Sequence, residues 1–357
     1  MEHSAGSPPS IDPSALPPIE ELVPPMSVMA PAARPRRAPE STGPTRRRVS
    51  LVRRRATTLA LAVGVPLALL TAAHALVPDI LGLGLVWDNA LPWTWVVLPV
   101  LFLVLLVART PGAVIGLLAP TLVWAFLFGP GVVPMGDARS AVPAEASLTV
   151  ASQNLGPEGD PAVIAASLQA SGADLIALQE IEDHDREPLA ATLDEQYPYS
   201  VLTGTVGLWS RYPIADSVGL KLGLDWYRAI NAVVDTPSGA VSVYVIHADS
   251  ARPGAHAERD VMLAELADTV AANTRDRIVV MGDFNASASD RALAALQSEV
   301  SEPNQSEGGF GLTWPAGTPL MRLDHVFVRG MTATHNAVGD AEGSDHHGIV
   351  SSFRLDR

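Results

Sequence analysis

The chain has 357 residues, 48% apolar and only 17% charged, and its 24 Lys+Arg against 38 Asp+Glu leave a net charge of −14. A mean hydropathy of +0.21 is high for a soluble protein. The absence of cysteine excludes disulfides, thiol nucleophiles and cysteine-based zinc sites, and the single lysine, Lys221, is followed by Leu222 rather than Ser or Thr, which excludes a Walker A loop.

Residues 1–55 form a tail of distinct composition. Eleven prolines fall in the first 45 positions, and nine arginines lie between Arg34 and Arg55. Such a segment buries too little apolar surface to offset its ordering entropy and is predicted to be disordered. Arginine runs can bind nucleic acid, but one placed directly before an apolar stretch reads as a topology signal.

Three stretches almost free of charge follow, at 56–78, 90–108 and 110–136. Each is long enough to cross a hydrocarbon core about 30 Å thick as a helix. They predict a three-helix transmembrane region over 56–136, with Asp79 and Asp88 in the first loop, Trp93 and Trp95 as interfacial rings and Arg109 in the second loop. The arginine bias puts the N-terminus in the cytoplasm and everything after about residue 137 outside the cell membrane. Ala73-His74-Ala75 resembles a signal cleavage site and Arg47-Arg48 a twin-arginine signal, but two further spans follow.

Residues 145–357 have the character of a soluble domain, with 13 basic and 30 acidic side chains for a net of −17. Short apolar strands (SLTVASQNL, DLIALQEI, VSVYVIHAD, RIVVMGDFN, RLDHVFVRG, HHGIVSSFRL) alternate with helical stretches such as PAVIAASLQA and AERDVMLAELADTVAA. This alternation predicts a layered α/β domain with a mixed sheet. The apolar segment of Leu220, Leu222, Leu224, Trp226 and Tyr227 reads either as core strand or as a rim facing the bilayer.

Polar residues of catalytic type cluster where the apolar runs stop: Asn154, Gln179-Glu180, His247 with Asp249, Asp283 with Asn285, Asp324-His325, and Asp345-His346. Each alone is explained by capping or turn formation; six such sites, expected on adjacent strands of one sheet, point beyond that explanation. Hard oxygen ligands without thiols suit Mg²⁺ or Mn²⁺, and Asp, Asn and His together can orient a water, neutralise a phosphate oxygen and move a proton. A zinc site from His247, Asp249 and His256 is the alternative, interrupted by Pro253 and Gly254. No G-x-S-x-G elbow, H-E-x-x-H or G-x-G-x-x-G is present.

In order along the chain, SQNL, DLIALQEI, LWSRYPI, VYVIHAD, VVMGDFNA, TWP, RLDHVFV and GSDHHGIV resemble the motif series of the endonuclease/exonuclease/phosphatase superfamily, the fold of DNase I. The likeness covers roughly 147–355, and the membrane-anchored layout resembles bacterial members found in glycopeptide-resistance clusters. The resemblance implies a four-layer α/β sandwich over 145–357. It also implies roles: Glu180 as principal metal ligand with Asn154 beside it and Asp345 as a second acidic residue near the metal. Asp283 and Asn285 would orient or deprotonate the attacking water, His346 would face the phosphate with Asp324 behind it, and His247 would contact phosphate or the leaving oxygen. Arg228 and Arg259 are candidate phosphate contacts, with surface ion pairs as the alternative. His347-Gly348 departs from the family's usual basic residue followed by proline.

The expected activity is that of a membrane-anchored, Mg²⁺- or Mn²⁺-dependent phosphoesterase acting outside the membrane on a phosphorylated substrate, lipid-linked or small. A tethered nuclease is the second reading, disfavoured because a net charge of −17 gives little attraction for a polyanion. A non-catalytic binding or resistance module is the third, and the complete residue set argues against it.

Overall fold

The structure, a computed structural model, describes residues 44–355. Most of the predicted disordered tail lies outside the described residues. The first helix, α1 (Pro44–Ala72), nevertheless begins inside the segment assigned to that tail. Proline is preorganised for a helix's first turn, and the arginine-rich run after it contains neither proline nor glycine, so good helix formers extend the apolar span backwards.

The second span is longer than the sequence reading placed it. A single-turn 3₁₀ helix (Ile80–Gly82), α2 (Leu83–Ala90), a 3₁₀ segment (Leu91–Val97) and α3 (Leu98–Ala108) follow one another without a gap, with a kink at Leu81 and Gly82, both at positive φ. Asp88 therefore lies in the helix and not in a loop, and it is tolerated there because Arg291 pairs with it. Arg109 ends α3 in the left-handed conformation with φ 51°. The Thr110 hydroxyl then accepts from Ala113 N–H to open α4 (Pro111–Val132). Helices α1 and α4 approach at small residues: a Cβ on Gly64 would stand 1.7 Å from the Gly116 carbonyl oxygen, so only glycine permits the contact. All three segments are long and apolar enough to cross a membrane.

The rest of the described chain is built on eleven strands. These are β1 (Ser147–Asn154), β2 (Leu175–Gln179), β3 (Tyr199–Thr203), β4 (Val206–Ser210), β5 (Ile214–Leu220), β6 (Ala229–Thr236), β7 (Gly239–His247), β8 (Ile278–Asp283), β9 (Asp324–Arg329), β10 (Thr332–Val338) and β11 (Ile349–Arg354). They form a six-stranded sheet in the order β10-β11-β1-β2-β4-β3 and a five-stranded sheet in the order β5-β6-β7-β8-β9. The two parallel pairs, β1–β2 and β7–β8, need helical crossovers, supplied by α5 (Pro161–Ala170) and α7 (Ala257–Ala272). Two short helices, α6 (Arg186–Leu193) and α8 (Ala294–Glu299), complete the outer layers.

Strand alternation explains the layering. Val150, Ala177, Val243, Val279 and Val326 share the core between the sheets. Their neighbours Tyr244, Ile246, Val280 and Phe327 point the other way, onto Met262, Leu263 and Leu266 of α7, while Ile176 and Leu178 meet Ile164 and Leu168 of α5. Both sheets are thus covered on both faces, giving the predicted four-layer α/β sandwich. In the apolar segment after β5, Leu222 is buried and Leu220 and Leu224 pack against the α7 cluster. Only Trp226 and Tyr227 stay exposed.

Candidate active site

The two sheets place their polar strand ends against each other. In the five-stranded sheet, His247 pairs in register with Asp283, and Asp283 with Asp324, so three reactive side chains stand in one row across β7, β8 and β9. In the six-stranded sheet, Asn154 pairs with Gln179 at the ends of β1 and β2, and Glu180 follows directly. Asn154 joins the rows: its amide donates to Glu180 Oε1 at 3.1 Å and to Asp283 Oδ2 at 3.0 Å. Glu180 Oε1 is also 3.5 Å from His247 Nε2.

His346 comes from the loop before β11. Its Nδ1 is 2.8 Å from Asp324 Oδ2 and its Nε2 is 3.9 Å from Asp283 Oδ2. Ser344 holds this loop down by donating to the Asn154 carbonyl at 2.8 Å while accepting from His346 N–H at 2.9 Å. Thr313 Oγ1 accepts the N–H groups of Leu323 and Asp324, at 3.1 and 3.3 Å, and so fixes the start of β9. Asn285 N–H donates to Asp283 Oδ1 at 2.8 Å, and its side-chain amide donates to the Ala248 carbonyl at 3.0 Å.

Glu180 and Asn285 both have positive φ, 61° and 48°. For an L-residue this region is sparsely populated and costs of order 1–3 kcal/mol, and such outliers concentrate at functional sites.

Burial and charge set the protonation states. Burial alone would favour a neutral His346 ring, but the Asp324 carboxylate, with Asp283 and Asp345, raises its pKa to about 10. Burial first, and then the positive charges of Arg228 and His346, push His247 down to about 3, so that ring is neutral. Asp283 is raised by complete burial and by the facing Asp324 carboxylate, against the opposing pull of His346 and of the donors from Asn285 and Asn154. The cleft therefore pairs an imidazolium with a neutral imidazole across a carboxylate of elevated basicity.

Asp283, Asp324 and His346 offer ligand atoms within 4.8 Å of one another. Within this trio His346 Nδ1 already has the Asp324 carboxylate as its partner, at 2.8 Å. Glu180, 39% exposed at its side chain, presents oxygen donors at the cleft, the donor type Mg²⁺ and Mn²⁺ require, whereas the buried Asn154 accepts the Gly156 N–H with its Oδ1 at 3.0 Å and turns its amide hydrogens to the carboxylates. Asp345 is exposed: its Oδ2 accepts from Trp314 Nε1 at 3.3 Å, and its Oδ1 crowds the Gly156 turn that follows Asn154.

The two arginines part company. Arg228 is buried beside the site, with Nη1 2.8 Å from Asp249 Oδ1, Nη2 3.0 Å from both nitrogens of His247, and its guanidinium 4.6 Å from the Trp226 ring centroid. Arg259 is only 1% exposed. Its N–H groups go to Asp260, to Asp290 and to the Asn285 carbonyl, which corrects its assignment as a substrate contact: every edge faces protein, and it braces the Asn285 loop from behind. Both ring nitrogens of His256 meet carboxylates, Asp79 at 2.7 Å and Asp260 at 2.9 Å, so His256 is not available to a zinc site with His247 and Asp249. Thr313, Trp314 and Ser344 lay within recognised motifs but carried no assigned role.

The three apolar helical segments dock on the end of the sheets that carries these residues. After β7, His256 pairs with Asp79. After β8, Ser289 donates to the Asp88 carbonyl at 2.8 Å, and Arg291 Nε is 2.7 Å from Asp88 Oδ2 while its Nη1 and Nη2 reach the Val77 and His74 carbonyls. Before β9, Trp93 Nε1 donates to the Leu320 carbonyl at 3.0 Å, and Phe310 meets Trp124 edge-on at 6.3 Å.

The sequence model of the endonuclease/exonuclease/phosphatase family matches residues 150–346. Among solved structures, a humanized D. rerio TDP2 carrying 14 mutations is 18% identical, with a TM-score of 0.50 over 58% of this chain and 99% of that one. An endonuclease/exonuclease/phosphatase from Bacteroides vulgatus is 14% identical, with a TM-score of 0.50 over 59% of this chain and 99% of that one. No curated protein sequence matches the chain. The family match runs from the first strand to the histidine of the last loop, over a fold shared with both structures, and the chain is a member of the endonuclease/exonuclease/phosphatase family.

Proposed function

We propose that this phosphoester hydrolase is divalent-metal-dependent and works at the outer face of the cell membrane on a phosphate ester or phosphoanhydride borne by a lipid. The observation that carries this reading is the docking of the membrane helices on the catalytic end of the sheets, through Asp79, Asp88, Trp93 and Trp124. A cleft held there meets membrane-borne phosphates at high local concentration. The arginines Arg53, Arg54, Arg55 and Arg109 flank the opposite helix ends, which by the positive-inside rule supports an outward-facing domain. A net charge of −17 over 145–357 weighs against a nucleic-acid substrate.

Within this reading each side chain has a task. Glu180, held by the Asn154 amide and flanked by Asp345, would hold Mg²⁺ or Mn²⁺, which when bound neutralises phosphoryl charge. The His346 imidazolium, kept protonated by Asp324, stabilises the negative charge that develops on phosphoryl oxygens. Asp283 accepts a proton from the attacking water, which Asn285 helps to orient. Neutral His247, with Arg228 beside it, donates to a phosphate oxygen.

The test is a parallel assay of the full chain in lipid nanodiscs with Mg²⁺ on an isoprenoid pyrophosphate, a nonspecific phosphodiester and plasmid DNA. Hydrolysis of the lipid substrate, lost in EDTA and in His346→Ala, is expected. Plasmid nicking without lipid hydrolysis would overturn the proposal.

A further inference from the structure

Successive side chains of β9 alternate between two faces. Asp324 enters the cleft to meet His346, and His325 points the other way, into the layer behind, where it is 0% exposed. Its ring stacks on that of Phe327 at 5.2 Å and meets Phe284 edge-on at 5.4 Å. Nε2 stands 2.9 Å from the Ala286 carbonyl oxygen, and Nδ1 stands 2.7 Å from Glu302 Oε1. A carbonyl oxygen only accepts, so Nε2 carries a hydrogen. Burial would raise the Glu302 carboxyl, but Arg322 and His325 hold it below its usual range, and it accepts from Nδ1 as a carboxylate.

Ala286 follows Asn285, so two successive carbonyls of this loop are taken by buried donors from separate elements. Arg259 Nη1 of α7 reaches the Asn285 carbonyl at 2.9 Å, and His325 of β9 reaches that of Ala286. Asn285 itself has φ 48°, a conformation that an L-residue keeps only where its surroundings over-determine it. The two bonds fix the peptide planes that follow this residue, and with them the direction of its side-chain amide, which lies 3.0 Å from the Ala248 carbonyl and 3.4 Å from Asp283 Oδ2.

We infer that His325 is a positioning residue: through the Ala286 carbonyl it holds Asn285 in its left-handed conformation and so aims the Asn285 amide at the attacking water. The inference rests on the role given to Asn285 in the proposed function, and is independent of which phosphate the cleft hydrolyses.

Glutamine and asparagine each keep one of the two ring donors. In His325→Gln the side-chain amide reaches the place of Nε2 and can donate to the Ala286 carbonyl. In His325→Asn it reaches only the place of Nδ1, against Glu302, and the carbonyl is left unmatched. The full chain in lipid nanodiscs with Mg²⁺ is assayed on bis(p-nitrophenyl) phosphate, and deuterium uptake of the peptide spanning residues 284–292 is followed by mass spectrometry. His325→Asn should lower kcat by about tenfold to a hundredfold, the cost of misplacing a reacting group by about 1 Å. KM and the Mg²⁺ concentration for half-maximal rate should stay unchanged, and exchange in 284–292 should rise. His325→Gln should recover most of kcat and the slow exchange. Glu302→Gln keeps the Nε2 bond while weakening the buried charge cluster, so it should lower the melting temperature and leave kcat near that of the wild type.

Equal kcat losses in the two His325 variants, a loss carried by KM or by the metal requirement, or unchanged exchange at 284–292 in His325→Asn would each overturn the inference. Should His325→Asn fail to fold, His325→Gln decides alone: kcat above about a tenth of wild type supports the inference, and a lower value overturns it. If the wild type leaves every phosphoester intact, the proposed function fails, and the exchange comparison still decides the place of His325.

Discussion

Replacing Asp324 by Asn keeps the shape beside His346 Nδ1 and removes the charge. In the wild type, burial disfavours the protonated ring, yet Asp324, followed by Asp283 and Asp345, holds its pKa at about 10 instead of 6.5. At 1.36 kcal/mol per pH unit, that preference for the imidazolium is about 5 kcal/mol, and Asp324 supplies its largest favourable part. The variant's ring should therefore lose its proton much closer to neutrality. If His346 acts as an imidazolium, the alkaline limb of the pH–kcat profile moves toward acid, and kcat at pH 9 falls on the order of 10²-fold or more. Stability carries the same signature. A histidine pKa raised on folding adds stability that is complete below pH 6.5 and is lost as the pH climbs through about 10. The wild-type melting temperature in EDTA should decline across that window, and the Asp324→Asn protein's should decline less. An unchanged alkaline limb together with an unchanged melting profile would refute the reasoning.

Glu180→Ala should lower activity and raise the Mg²⁺ concentration needed for half-maximal rate at least about tenfold, read by a metal titration; an unchanged metal requirement would remove Glu180 from the metal site. Arg291→Ala leaves Asp88, whose side chain is 0% exposed, with only the His74 ring at 3.1 Å to face its charge, at a cost of up to about 3–5 kcal/mol. Faster proteolysis at the junction between helices and domain and a lower melting temperature are expected, with partial recovery in the Arg291→Ala/Asp88→Asn double variant.

Much of the candidate site is legible in the sequence because strand periodicity and chemistry coincide there. Apolar runs such as IVVMG and LIAL stop at Asp283 and Gln179-Glu180, and the register of parallel and antiparallel neighbours then aligns those stopping points. What escapes is whatever depends on a distant partner. Asp88 reads as a loop residue because the charge that lets it enter a helix is Arg291, 203 positions away. Arg259 reads as a phosphate contact because a sequence gives an arginine no direction, whereas the fold turns it onto Asp290 and the Asn285 carbonyl. The start of α1 escapes for another reason. Composition marks the tail as disordered, but the propensity of the arginine run belongs to the helix that follows it.

The clamp of Arg291 on Asp88 and on the carbonyls of His74 and Val77 turns a tethered enzyme into a mounted one. A domain on a flexible stalk samples phosphates at many elevations. Under the proposed function, a domain bolted to its own helices holds its cleft at one elevation above the acyl chains, so a bond would be cut only where its carrier lifts it to that level. The length of the spacer between a phosphate and its hydrophobic anchor would then become a selection rule, imposed by mounting height rather than by pocket shape.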